Sequence, residues 1–166
     1  MKEEMFMISL EFLEKVGIFE GLDNKQLAEI KKCCEEEEFQ RAAKLFEKGE
    51  DAACLWIVRE GRVDLRIDLS GLASSEENMI SSITDTEAFG WSSLASPYKY
   101  RLSGYCAANS CKLIKIERES LRKLFELDPD IGYVVMSNIA NVVGRRFHNL
   151  QEEAAKRRGQ DLLGGW

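Results

Sequence analysis

The sequence predicts a mainly β domain with helices at either end, its short strands forming a closed or double-sheet arrangement. Three observations carry that prediction. Val63, Leu65, Ile67 and Leu69 alternate with Asp64, Arg66 and Asp68, which is the two-residue period of a half-buried strand. From about Glu38 to Ile116 the apolar runs are short and broken by glycine and polar turns. On both sides of that region apolar residues return at the spacing of three and four that marks helices.

Taken in order, Ile8, Phe12, Leu13 and Val16 form the first helical stripe, and Gly17 ends it. Asp23 followed by Gln26 reads as a capping box opening a second helix, which buries Leu27 and Ile30 and runs to about Cys34. Leu45–Glu50 is a strand entering a turn at Gly49. Leu55–Val58 and the Val63–Leu69 strand flank Arg59-Glu60-Gly61-Arg62, the pattern of a hairpin. Ser70–Glu77 is a polar, serine-rich stretch expected to be a mobile surface loop. Met79, Ile80, Ile83 and Phe89 mark further strand pieces, and Tyr105–Ala108 with Lys112–Ile116 close the β region. Helical spacing resumes at Glu117–Leu127, with Leu121, Leu124 and Phe125 inward. Asp128-Pro129 then supplies an N-cap and a first-turn proline. The last helix is predicted from about Pro129 to Arg158, ending at Gly159. Its stripe is Ile131, Val135, Ile139, Val142 and Val143, followed by Phe147, Leu150 and Ala154. No internal repeat is evident.

Bulk properties narrow the function. The 166 residues suffice for one domain with a real core, and one domain over 1–166 is expected: helices at about 7–34, β region at about 38–116, helices at about 117–158. A net charge of −6 offers no basic field for nucleic acid or an anionic membrane. No signal peptide and no membrane-length apolar run is seen. Cys33, Cys34, Cys54, Cys106 and Cys111 are an odd set in apolar surroundings, read as reduced thiols of a cytoplasmic protein. His148 is the only histidine and lies on the terminal helix. Neither a metal site nor a Ser-His-Asp arrangement can be assembled around it, so no catalytic residue, metal or cofactor is expected.

The stretch richest in chemistry is Phe89-Gly90-Trp91-Ser92-Ser93-Leu94, with Arg101, Leu102 and Ser103 beyond it. A glycine opens a short serine-rich turn, and a lone arginine follows eleven residues after Gly90. Backbone N–H groups and one guanidinium together suit a phosphate. The anion-binding role is the favoured reading of Arg101, against an ordinary surface strand residue or half of an ion pair, and Ser92 and Ser93 are also readable as caps of the turn.

With Leu45–Glu50, Leu55–Val63 and the hinge Leu127-Asp128-Pro129-Asp130, this stretch resembles the catabolite-activator-type cyclic-nucleotide-binding domain, from about Phe12 to about Glu153. The resemblance implies a double-sheet jelly-roll β-barrel with short N-terminal helices and a long C-terminal helix, holding a cyclic nucleotide inside. It implies that the backbone of Ser92, Ser93 and Leu94, with Arg101, grips the cyclic phosphate of cyclic AMP or cyclic GMP. Leu102 and Ser103 complete that cassette, and Val142, Arg146 and Phe147 stand where the long helix approaches the base. Trp91 replaces the family's ribose-binding glutamate and cannot accept a hydrogen bond. It is readable as a stacking surface or as a plug. Leu102 stands where small or hydroxylated residues are common, and Thr86 where a turn glycine is common. Arg145 and Arg146 are read as a solvated face in preference to phosphate ligands.

The expected function is therefore a stand-alone regulatory module that binds a cyclic nucleotide or related phosphate and signals through its C-terminal helices. A homodimer along the last helix and a protein partner are its expected contacts. The alternative is a ligand-free scaffold for dimerisation or protein contact. Relatives that touch DNA carry a helix-turn-helix after the long helix; none is legible here, so direct nucleic-acid contact is not expected.

Overall fold

Two four-stranded antiparallel sheets face each other, and helices cover the outer side of one of them. The computed structural model describes residues 7–69, 71 and 75–164, with only the backbone of Glu76. In chain order the elements are α1 (Leu10–Lys15), a 3-10 turn (Gly17–Phe19), α2 (Asn24–Lys32), β1 (Cys34–Gln40), β2 (Lys44–Phe46), β3 (Cys54–Glu60) and β4 (Val63–Arg66). Then follow a 3-10 turn (Glu76–Asn78), β5 (Met79–Ile83), β6 (Ala88–Phe89), a 3-10 turn (Trp91–Leu94), β7 (Ser103–Cys106), β8 (Ser110–Glu117), α3 (Arg118–Leu127) and α4 (Pro129–Gly164). One sheet runs β1-β8-β3-β6 and the other β2-β7-β4-β5. This is the jelly-roll arrangement, but the two sheets stay separate and do not close into the expected barrel.

Burial explains why β3 and β8 read as nearly continuous apolar runs. Leu55 and Ile57 of β3, with Ile114 and Ile116 of β8, pack outward against Leu13, Phe19, Leu27, Leu121 and Val135 of the helices. Trp56 and Val58, with Cys111 and Leu113, point between the sheets, where Phe46, Val63, Leu65 and Ile83 meet them. Both faces of β3 and β8 are covered over most of their length, so polar alternation fades there.

The capping signals hold. Gln26 N–H donates to Asp23 Oδ1 at 2.8 Å and Asp23 N–H to Gln26 Oε1 at 3.0 Å. Asp128 Oδ1 accepts from the first turn of α4 at 3.2 and 3.4 Å. Burial pushes the thiols of Cys34 and Cys106 up to about 12, so both stay protonated near neutrality.

Several expectations need correction. β3 and β4 do not pair as a hairpin: Gly61 carries the chain from one sheet to the other. Gly61 has φ +104°, and a Cβ there would stand 2.7 Å from the Ser110 carbonyl oxygen. The second helix stops at Lys32, and Cys34 opens β1. Four consecutive glutamates disguise that strand, but β8 supplies the opposing charges. Lys115 Nζ lies 3.5 Å from both Glu35 and Glu37, and the buried Glu36 carboxylate pairs with Arg59. Asp64 was expected on a solvent face and is buried instead, between Arg62 and Arg66. Gly159 does not end α4, which continues to Gly164. Part of the Ser70–Glu77 loop lies outside the described residues; its end enters the Glu76–Asn78 turn.

Thr86, between β5 and β6, has φ +71° and donates its N–H to the Val58 carbonyl at 2.8 Å. A β-branched residue in the left-handed region is strained. Thr86→Gly is therefore expected to stabilise the fold by about 1 kcal/mol, after subtracting glycine's extra unfolded-state freedom. Urea denaturation measures it, and a destabilised variant would mean that the Thr86 side chain compensates the strain.

Candidate ligand site

The cassette is built from the end of β6 and the turn that follows. Gly90 adopts φ +75° and caps the 3-10 turn Trp91–Leu94. A Cβ at Gly90 would stand 3.0 Å from Trp56 Cδ1 and 3.2 Å from the Cys54 carbonyl oxygen, so conformation favours glycine and any side chain would crowd its neighbours. The Ser93 N–H already donates to the Gly90 carbonyl at 3.0 Å, so this expected backbone donor is engaged within the turn. The Ser93 side chain is buried, and its hydroxyl has no hydrogen-bond partner.

Across the turn stands Arg101, exposed and without an ion pair among the described residues. Gly90, Trp91, Ser92, Arg101 and Leu102 surround one small cavity of about 60 Å3, closed from below by Phe46, Leu65 and Tyr100. The structure thus brings the glycine, the turn and the arginine together, as the spacing predicts. Ser103 is different: its buried hydroxyl accepts from Lys48 N–H at 2.9 Å and donates to the Asp68 carboxylate. That hydroxyl is therefore engaged within the second sheet.

Sequence reasoning missed what fills the space beneath. Phe46 stacks on Tyr100 with ring centroids 3.8 Å apart, and Trp56 lies parallel to Phe89 at 6.2 Å. Trp56 Nε1–H donates to Tyr100 Oη at 3.2 Å, and that hydroxyl donates to the Cys54 carbonyl at 2.9 Å. Burial raises the Tyr100 phenol, so it remains a neutral donor. Four aromatic rings from separate segments therefore occupy the interior between the sheets. The cavity left is well below the roughly 300–1,000 Å3 of a usual small-molecule pocket. Leu102 packs on this interior cluster, whereas Trp91 and Leu94 pack on the helix side.

The long-helix residues do not reach this cavity. Phe147 is exposed, and Val142 and Arg146 line a separate crevice. Arg146 is half-buried and donates to the Ala88 carbonyl at 3.1 Å, so it is not the solvated residue expected; Arg145 is exposed. Behind the cassette, Ser93, Leu94 and Tyr98 meet Phe125 of α3 and Met136 of α4.

The comparisons with known proteins agree with this geometry. The family model for the cyclic nucleotide-binding domain matches residues 36–128. The chain is 24% identical over 142 residues to a CRP-like cAMP-activated global transcriptional regulator of Mycobacterium tuberculosis, a match covering 86% of this chain and 62% of that protein. Among solved structures it is similar to a candidate cyclic nucleotide-binding protein of Geobacter metallireducens, with 30% identity and a TM-score of 0.72. That match covers 86% of this chain and all of the other. A cyclic nucleotide-binding domain of Methylobacillus flagellatus shares the fold at 16% identity and a TM-score of 0.74, over 89% of this chain and 81% of the other. So does the regulatory domain of Toxoplasma gondii PKA, solved with cAMP, at 20% identity and a TM-score of 0.60, over 74% of this chain and 44% of the other.

Proposed function

The chain belongs to the cyclic nucleotide-binding domain family, and from that premise we propose a non-catalytic regulatory module that binds cyclic AMP or cyclic GMP at the Gly90–Arg101 cassette. The observation that carries this reading is one cavity bounded by a left-handed glycine, a 3-10 turn and an arginine free of ion pairs among the described residues. A phosphate there would meet backbone N–H groups and a guanidinium together. Relatives named for cAMP activation, or solved with cAMP, favour that ligand class.

Signalling follows from what the cassette touches. Trp91 and Leu94 pack on the same cluster as Phe125 of α3 and Val142 and Val143 of α4. A ligand that repositions the 3-10 turn therefore changes the packing of both helices, provided it prefers one arrangement.

Output through a homodimer is part of the proposal. Tyr133, Met136, Ala140, Val143, Phe147, Leu150 and Ala154 recur along α4 at alternating spacings of three and four, the seam of a two-helix coiled coil. Tyr133 is 76%, Phe147 61% and Leu150 48% exposed, so these seam positions are uncovered within one chain, while Val143 also packs on the chain's own core. In parallel register Glu153 and a second copy's Arg158 fall at flanking positions of opposite charge. Analytical ultracentrifugation is expected to show a dimer at tens of micromolar, and Phe147→Glu with Leu150→Glu to give a monomer of unchanged helical content. A monomeric wild type would overturn this part.

The small, aromatic-filled cavity favours a second reading, a scaffold that binds no nucleotide. Calorimetric titration with cyclic AMP and cyclic GMP separates the two. Saturable binding supports the sensor, and at 100 times Kd it adds about 2.7 kcal/mol of stability. No heat and an unchanged melting temperature with either nucleotide would support the scaffold.

A further inference from the structure

A group of three cations without ion pairs among the described residues lies outside the cassette. A crevice of about 400 Å3 opens between the first helical turns, the β5–β6 turn and α4. Lys15 comes from the first of these, Thr86 and Glu87 from the second, and Arg145, Arg146 and Asn149 from the third. None of Lys15, Arg145 and Arg146 forms an ion pair among the described residues. The crevice and the cassette cavity share no lining residue. β6 lies between them: Ala88 packs toward the helices and Phe89 toward the interior.

Charge in the crevice is unbalanced. Burial lowers the proton affinity of the Arg146 guanidinium, and the neighbouring Arg145 acts in the same direction against support from Glu87. Glu87 is the one carboxylate in the lining, and it already accepts from Thr84 N–H at 2.8 Å and Thr84 Oγ1 at 3.2 Å. Three cations against one engaged carboxylate leave a surplus of two positive charges. The remaining guanidinium donors, the Asn149 amide and the Thr86 hydroxyl offer hydrogen bonds, while Ile18 and Val142 provide apolar wall. The volume exceeds that of a bare phosphate and falls within the small-molecule range.

We propose that this crevice is a second anion site, separate from the cassette, which takes a small phosphorylated molecule through Arg145, Arg146 and Lys15. Its phosphate sits against the paired guanidiniums, where it relieves their mutual repulsion. Its body meets Asn149 and the Val142 wall. Because the walls belong to three elements, an occupant ties α4 to the sheet through contacts other than those of the cassette. The site thus gives the module an input independent of Arg101.

Inorganic pyrophosphate serves as the probe, followed by calorimetry and melting temperature against potassium chloride at matched ionic strength. Saturable binding is expected for the wild type and, within about twofold, for Arg101→Ala, since a distant site adds independently. Lys15→Glu and Arg145→Glu, both at exposed positions that the fold does not need, are expected to weaken it about tenfold or more, as one charge-assisted contact implies. Arg146→Lys keeps the charge without the fork and should weaken it less than either reversal. Absence of binding by the wild type, an effect equalled by potassium chloride, or weakening by Arg101→Ala would each overturn the proposal. So would affinity unchanged by Lys15→Glu and Arg145→Glu.

Discussion

Arg101→Ala is expected to weaken cyclic-nucleotide binding about a hundredfold while leaving the melting temperature unchanged. Arg101 is exposed and has no ion pair among the described residues, so its removal leaves no buried partner stranded. Exposed substitutions of that kind usually stay within about 0.5 kcal/mol. Binding is a different matter. A guanidinium facing a phosphate makes charge-assisted hydrogen bonds of about 1.5–3 kcal/mol each, and a bidentate pair is worth about 3 kcal/mol net. That is two powers of ten in Kd. Trp91 cannot accept a ribose hydroxyl, so no carboxylate shares the load and the phosphate grip carries more of the affinity. Calorimetry on both proteins, with Arg101→Lys as an intermediate, tests the assignment. Full affinity in Arg101→Ala would remove Arg101 from the site.

What was legible in the sequence depended on how local the cause was. The capping box at Asp23, the Asp128-Pro129 helix start and the Gly90 turn each rest on residues within four of one another, and all three form as read. Arg101 also lies beside the turn that Gly90 opens, because a short connection leaves the arginine few places to go. Failures occurred where distant segments decide. The Gly61 turn looks like a hairpin locally, yet β4 crosses to the other sheet, and Ser110 and Cys111, some fifty residues on, crowd the turn so that a side chain there would clash. The acidic run of β1 is a poor strand until Lys112 and Lys115 of β8 lie opposite it. The aromatic filling could not be read, since Phe46, Trp56, Phe89 and Tyr100 come from four segments whose inward faces are set by the fold. The presence of Phe46, Trp56 and Phe89 on predicted strand pieces was the available signal; Tyr100 lies in a connection and offered none.

The buried acid of β4 leads to the largest expected loss of stability. Asp64 is 1% exposed, with Arg62 Nε 3.4 Å from one carboxylate oxygen and Arg66 Nη2 3.6 Å from the other. Arg66 is itself mostly covered and lies over the Tyr105 ring at 4.5 Å. Strand alternation does place Asp64 opposite the apolar face, but these side chains close over it, so a charge meant for water became a buried pair. Asp64→Ala leaves a covered guanidinium without its counter-charge, a change that costs about 3–5 kcal/mol. For a chain of this size that is a fall in melting temperature of roughly 6–20 °C. Asp64→Asn keeps the volume but not the charge and is expected to fall between. The stranded charge, not the missing contact, causes most of the loss, so Asp64→Leu combined with Arg66→Met should recover much of it. Urea denaturation of the three variants decides the matter. A loss under about 0.5 kcal/mol for Asp64→Ala would mean that the arginines rehydrate freely. A double variant as unstable as Asp64→Ala would place the weight on the packing of Arg66 against Tyr105 instead.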